Sequence, residues 1–174
     1  NSKGLFVMDG TGTPVKQGDM TVPFTITLPK TAMPAGGYPL ILYVHGSGGA
    51  STDVVDKGPQ EVEDGPFTPG TGPAAYLAPY GLATAQSAMP VNPERYPGAS
   101  DYEYLNLVNP PSFRDTFRQG MIEQHLFLDA LLALRIEPST VSACTGLSLP
   151  NGENAYRFNS ERIMGAGNSM GGMY

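Results

Sequence analysis

Near its carboxyl end the chain reads Gly167-Asn168-Ser169-Met170-Gly171-Gly172, directly after the run Arg162-Ile163-Met164-Gly165-Ala166. A Gly-x-Ser-x-Gly pentapeptide between a strand and a helix holds its serine on a strained corner with the hydroxyl exposed, which is how a nucleophile is presented. Small neighbours let the backbone turn that sharply. Upstream, His45-Gly46-Ser47-Gly48-Gly49 follows the apolar run Leu40-Ile41-Leu42-Tyr43-Val44. Such a segment leaves room for a substrate carbonyl and can aim backbone N–H groups at a developing oxyanion. The N–H of Met170, beside an attacking Ser169, supplies a second donor, and donors of this kind contribute about 3 kcal/mol each to transition-state stabilisation. Acyl transfer is the chemistry that fits.

Other chemistries fit less well. Gly46-x-Gly48 follows a strand as a dinucleotide loop does, but no helix opens directly after it, and Met170 stands where the later glycine run needs its third glycine. Asp53, Asp56, Glu61, Glu63 and Asp64 read as a solvated acidic loop, and no His/Cys/Asp spacing suggests zinc or calcium. The chain has two histidines. His45 precedes the oxyanion glycines. His125 lies four residues after Met121 and three before Leu128, a position that favours a core or boundary histidine over a catalytic base.

These motifs need a sheet behind them. Leu5–Met8 and Thr21–Leu28 read as strands around a turn at residues 9–14, the second with Pro23 marking an edge. Leu40–Val44, apolar throughout, fits a strand buried on both faces of a largely parallel sheet. A short helix over 73–78, a strand over 82–88, and a long helix from Phe113 to about Arg135 follow. Ser112 is the expected cap of that long helix, and Phe117, Met121, Leu128 and Leu132 its apolar stripe. Loops fill 50–72, 89–111 and 136–160, the last leading into the strand before Ser169. This alternation predicts an α/β fold, mostly parallel behind antiparallel N-terminal strands.

Composition agrees with a globular chain: of 174 residues, 40% are hydrophobic and 15% charged, while 22 glycines and 17 prolines require long loops. A net charge of −6 without a Lys/Arg cluster argues against nucleic acid or anionic membrane surfaces as partners. No apolar run approaches the roughly 20 residues of a membrane span. Asn1-Ser2-Lys3-Gly4 lacks signal-peptide architecture, which leaves a cytosolic protein or a removed leader. Few lysines, the acidic balance and the loop-rich composition lean towards a secreted or periplasmic location. Cys144 is alone, so it is either a free, half-buried thiol or the partner of a cysteine beyond Tyr174.

Together, residues 38–49 and 161–172 resemble the α/β-hydrolases, closest in style to bacterial carboxylesterases and lipases. The resemblance spans roughly residues 20 to 174, and it implies that residues 1–174 are the N-terminal portion of one α/β-hydrolase domain. By that resemblance Ser169 is the nucleophile, the backbone N–H groups of Ser47 and Met170 form the oxyanion hole, and His45 supports the loop. Asn168 departs from the His or Glu more often found before the serine. The family orders its triad serine, acid, histidine, so the catalytic Asp/Glu and His are expected in a complementary chain or segment after Tyr174. The implied substrate is a small-molecule or lipid-like ester, hydrolysed without a cofactor. A serine peptidase of the same fold, or a non-catalytic binding protein with a degenerate triad, remain the alternatives.

Overall fold

A segment apolar at every position offers no face to water and has to be covered on both sides. In the computed structural model, which describes residues 4–174, the run 40–44 forms the inner part of β2 (Tyr38–Val44). Two strands flank it in parallel: β3 (Ala83–Ser87), with Leu40 opposite Ala83, and β4 (Phe158–Gly167), with Leu42 opposite Gly165 and Val44 opposite Gly167. β1 (Phe24–Thr27) pairs antiparallel on the far side of β3, so the sheet runs β1-β3-β2-β4. The chain is α/β, with a mixed four-stranded sheet. Helices α1 (Asp53–Asp56) and α2 (Pro73–Leu77) are short, and α3 (Pro111–Ala133) is the one long helix among the described residues. The main core joins Tyr38, Leu40, Ala83 and Ala85 of the sheet to Leu131 of α3, with Tyr156 and Phe158 beside them. No described helix is long and apolar enough to cross a membrane.

Local expectations fare unevenly. Asn1, Ser2 and Lys3, where the leader reading begins, lie outside the described residues. Residues 5–8 are not a strand of the sheet. They make an isolated arm, closed by a Met8–Pro14 bridge and a Val15 N–H to Val7 O bond of 2.8 Å. A lone hairpin has no third strand to support it, and this one is tied to α3 by the Phe6 N–H donating to Asp115 Oδ2 at 3.0 Å. The 21–28 strand contracts to Phe24–Thr27; it is an edge, and Pro23 contributes its carbonyl to the Ala88 N–H at 3.0 Å. The strand before Ser169 starts earlier than expected, at Phe158, and from Ser160 onward it is largely exposed rather than buried. β4 is the sheet's second edge.

The long helix is displaced and differently faced. It begins at Pro111, whose missing N–H costs nothing in a first turn. Ser112 therefore sits inside the helix and donates to Asn109 O at 2.9 Å instead of capping it. The helix ends at Ala133, not Arg135, whose guanidinium donates to the carbonyls of Leu132 and Leu134. Leu128 and Leu132 pack on the core as expected, but Met121 is half exposed. The buried line instead runs Ser112, Thr116, Gly120, Gln124, Leu131. Its small and polar members admit close neighbours: the Tyr174 ring lies so near Gly120 that a Cβ there would overlap it. His125 is neither core nor boundary; it is exposed, 3.7 Å from Asp129. Cys144 is exposed, not half-buried, and free among the described residues.

An uncovered strand edge offers a row of N–H and C=O groups to any other strand. The 174-residue chain by itself is expected to self-associate through β4, and Met164→Lys, on the exposed stretch of that strand, to shift it toward monomer. Light scattering on a size-exclusion column would read this; a monodisperse, cooperatively melting wild-type chain would rule it out.

Candidate active site

The register of β2 against β4 decides what meets beyond the strands. Val44 lies opposite Gly167, and Asn168 N–H donates to Val44 O at 3.0 Å, so the segments starting at His45 and Ser169 leave the sheet side by side. The separation is small: a Cβ built on Gly46 would stand 3.3 Å from Ser169 Cβ and 3.2 Å from Asn168 O. The two motifs quoted from the sequence are therefore neighbours in space.

Ser169 has φ 51, the left-handed region that few non-glycine residues enter. Asn168 before it is extended (φ −109, ψ 131), and a 3₁₀ turn, Ser169–Met173, follows. Holding a serine there costs about 1–3 kcal/mol, so the surroundings must fix the corner. They do so by backbone-to-backbone packing. A Cβ on Gly171 would overlap Val44 O and stand 2.7 Å from His45 O, while one on Gly167 would overlap Gly171 O. The Gly171 N–H to Asn168 O bond of 2.8 Å closes the turn. Ser169 is exposed, and its hydroxyl has no hydrogen-bond partner among the described residues; Met170 is buried beneath the turn. The Met170 and Ser47 N–H groups are likewise unengaged by described residues.

His45 is accounted for. It is 1% exposed, its Nδ1 lies 2.7 Å from Gly46 O, and its Nε2 accepts the Met89 N–H at 3.1 Å. The neutral ring with its proton on Nδ1 satisfies both contacts, which leaves no nitrogen to act on a serine. Burial holds its pKa below the ordinary 6.5; the Gly46 carbonyl and the carboxylates of Asp53 and Glu94 oppose the shift, and Lys57 adds to it.

The chain around and after Gly49 is pinned by polar side chains that sequence reasoning missed. Gln86 of β3, fully buried, accepts the Val54 N–H at 2.8 Å and donates to Ala50 O. Asn92 donates to Gly49 O at 2.5 Å, and Glu94 accepts both the N–H and the hydroxyl of Ser51 at 2.7 Å. The 89–110 connection that carries Asn92 and Glu94 is itself moored to α3 by Arg95, whose guanidinium meets both oxygens of Glu123. Its Val91 has φ 52, a strained setting for a β-branched residue, and lines a small cavity with His45, Gly48, Tyr104 and Met170. The acidic stretch is not wholly solvated either. Asp53 accepts the Ala50 N–H and pairs with Lys57 at 3.2 Å, while Glu61, Glu63 and Asp64 are exposed. No group of three or more His, Cys, Asp or Glu converges as metal ligands among the described residues.

The chain matches no protein-family model, no curated protein and no solved structure.

Two outcomes follow from this geometry. Gly171→Ala should destabilise the protein by about 1–3 kcal/mol or prevent folding, whereas Gly165→Ala, which meets nothing within 4 Å, should melt within a degree or two of wild type, a range of roughly ±0.5 kcal/mol. The unfolded chain takes up a proton at His45 near pH 6.5 while the native ring stays neutral, so stability is full above that pH and is lost as the pH falls toward the depressed native value. Thermal melts should show a level Tm above about pH 7 and a decline below about 6.5 that His45→Gln flattens.

Proposed function

We propose that this chain carries the nucleophile and oxyanion hole of a serine carboxylic-ester hydrolase of the α/β-hydrolase fold. The observation that carries the reading is Ser169 itself, a non-glycine residue at φ 51 on an exposed corner, packed against the Gly46–Ser47 segment. Strain of this kind persists where the surroundings over-determine it, and it clusters at catalytic centres. The unengaged N–H groups of Ser47 and Met170 lie on the segments flanking that corner.

In this reading Ser169 Oγ attacks the ester carbonyl carbon and gives its proton to a histidine. The carbonyl oxygen becomes an oxyanion held by the N–H groups of Ser47 and Met170. Collapse breaks the acyl–oxygen bond, the leaving alkoxide takes the proton, and water then repeats the sequence to free Ser169 and a carboxylic acid. His45 is buried with both ring nitrogens engaged, and His125 is exposed on α3 and makes no hydrogen bond to Ser169, so the base and its acidic partner are assigned to a complementary segment. The exposed edge of β4, which ends two residues before Ser169, is where such a segment would dock. The same lack of a partner for the Ser169 hydroxyl favours one rival, a hydrolase-like protein used for binding.

A fluorophosphonate separates the two. In the complete protein it should label Ser169 and no other serine, and Ser169→Ala should abolish hydrolysis of short aryl esters. The 174-residue chain alone should show neither. Labelling by this chain alone would place the base within it, and no labelling in the complete protein would leave the binding reading standing.

A further inference from the structure

The loop that carries Ser47 is held unevenly. Beyond Gly49 it is tied down by Gln86, Asn92 and Glu94. At Ser47 it has glycine on both sides, and Gly48 sits at φ 66, where backbone alternatives are cheap. Bonds to Gly46 O from the Gly49 N–H, 3.1 Å, and from His45 Nδ1, 2.7 Å, shape the turn and set the Ser47 N–H within it, since that N–H shares the Gly46 peptide plane, but both are local and neither ties the turn to a neighbouring element. Among the described residues, the side-chain hydrogen bond to Ser47 is between its Oγ and the Tyr104 hydroxyl, 2.8 Å, in which either group can donate.

Tyr104 is well placed to serve as an anchor. Its ring meets Phe117 of α3 edge-on, with centroids 6.1 Å apart, and Phe117 in turn stacks on Tyr174 at 4.7 Å. Its carbonyl accepts from the Asn106 side-chain amide at 2.8 Å, and that amide also reaches Thr116 Oγ1 at 2.9 Å. The hydroxyl is thus held from the long helix, on the same side as the cavity bordered by Met170 and Gly48.

We propose that Tyr104 is a positioning residue for the Ser47 amide: by holding the Ser47 hydroxyl it seats the 46–49 turn, and with it the Ser47 N–H, against the site where the oxyanion forms. Its effect on turnover rests on the ester-hydrolase reading; its effect on the loop does not. Tyr104 acts on the transition state through Ser47, so losing its hydroxyl lowers kcat and leaves substrate binding nearly untouched. A donor moved out of line is worth a large part of a donor removed.

The test uses the complete protein with Tyr104→Phe, which keeps the ring contact with Phe117, together with Ser47→Ala and the double variant. Tyr104→Phe should lower kcat by about 10- to 100-fold with KM within about twofold. Ser47→Ala should cost a similar factor, and in that background Tyr104→Phe should cost nothing more, because both remove one bond. Hydrogen exchange read by mass spectrometry should show segment 46–50 exchanging about tenfold faster in Tyr104→Phe, with the rest of the chain unchanged. A kcat within about twofold of wild type, or additive costs in the double variant, overturns the proposal. If the wild-type protein takes no fluorophosphonate, the hydrolase reading falls and the exchange rates alone decide: unchanged protection of 46–50 then overturns the anchor as well.

Discussion

The arrangement depends on one close approach of backbone to backbone, where the turn after β4 lies against the end of β2. Gly171 presses on the carbonyls of Val44 and His45 so tightly that no side chain fits. This contact is available only because β2 and β4 are adjacent, parallel and in the register that sets Val44 opposite Gly167. Given that register, the chain has to reverse within a few residues, and Ser169 takes the left-handed conformation at the reversal. The same contact fixes the neighbourhood of Gly46 and Ser47, since they continue from the strand that Gly171 packs on. Ser169 and the Gly46–Ser47 segment are brought side by side by this contact.

Support comes from a different quarter. The 89–110 connection has little regular structure, yet it reaches His45, Gly49, Ser51 and Ser47 with one group each from Met89, Asn92, Glu94 and Tyr104. Buried polar groups are costly unless paired, and here pairing is what fixes the loop geometry. His45 illustrates the logic: sealed from water and neutral, it spends one nitrogen on its own loop and the other on the connection. Arg95 and Glu123 then carry the load to α3, with the Arg95 side chain only 4% exposed.

The sequence made the four strands of the sheet and both motif segments legible, because each rests on a local signal: apolar continuity in β2, glycine spacing around Ser47 and Ser169. It misled where the signal is not local. The spacing on α3 predicts an apolar stripe, of which Leu128 and Leu132 reach the core and Met121 does not, while Ser112, Thr116, Gly120 and Gln124 are buried. The polar members of that buried set are satisfied by partners outside the helix, Asn106 for Thr116 and Ser87 for Gln124, which hydrophobic periodicity cannot report. Leu5–Met8 has strand composition but no strand beside it to complete a ladder. Gln86, Asn92, Glu94 and Tyr104 carry no motif at all. Their place follows from the tertiary fold, and a run such as Asn92-Pro93-Glu94 looks like any other loop.

Order of assembly is the remaining physical question. Ser169 is held in its strained conformation by the close packing of Gly171 and Gly167 and by the β2 register. On the proposed reading, a histidine delivered along the β4 edge meets a serine and two N–H donors already in place, and no reorganisation is left for the reaction step. The backbone contact between Gly171 and the end of β2 sets the Gly46–Ser47 segment and the Ser169 corner side by side, so on the proposed reading the oxyanion hole and the nucleophile share one support.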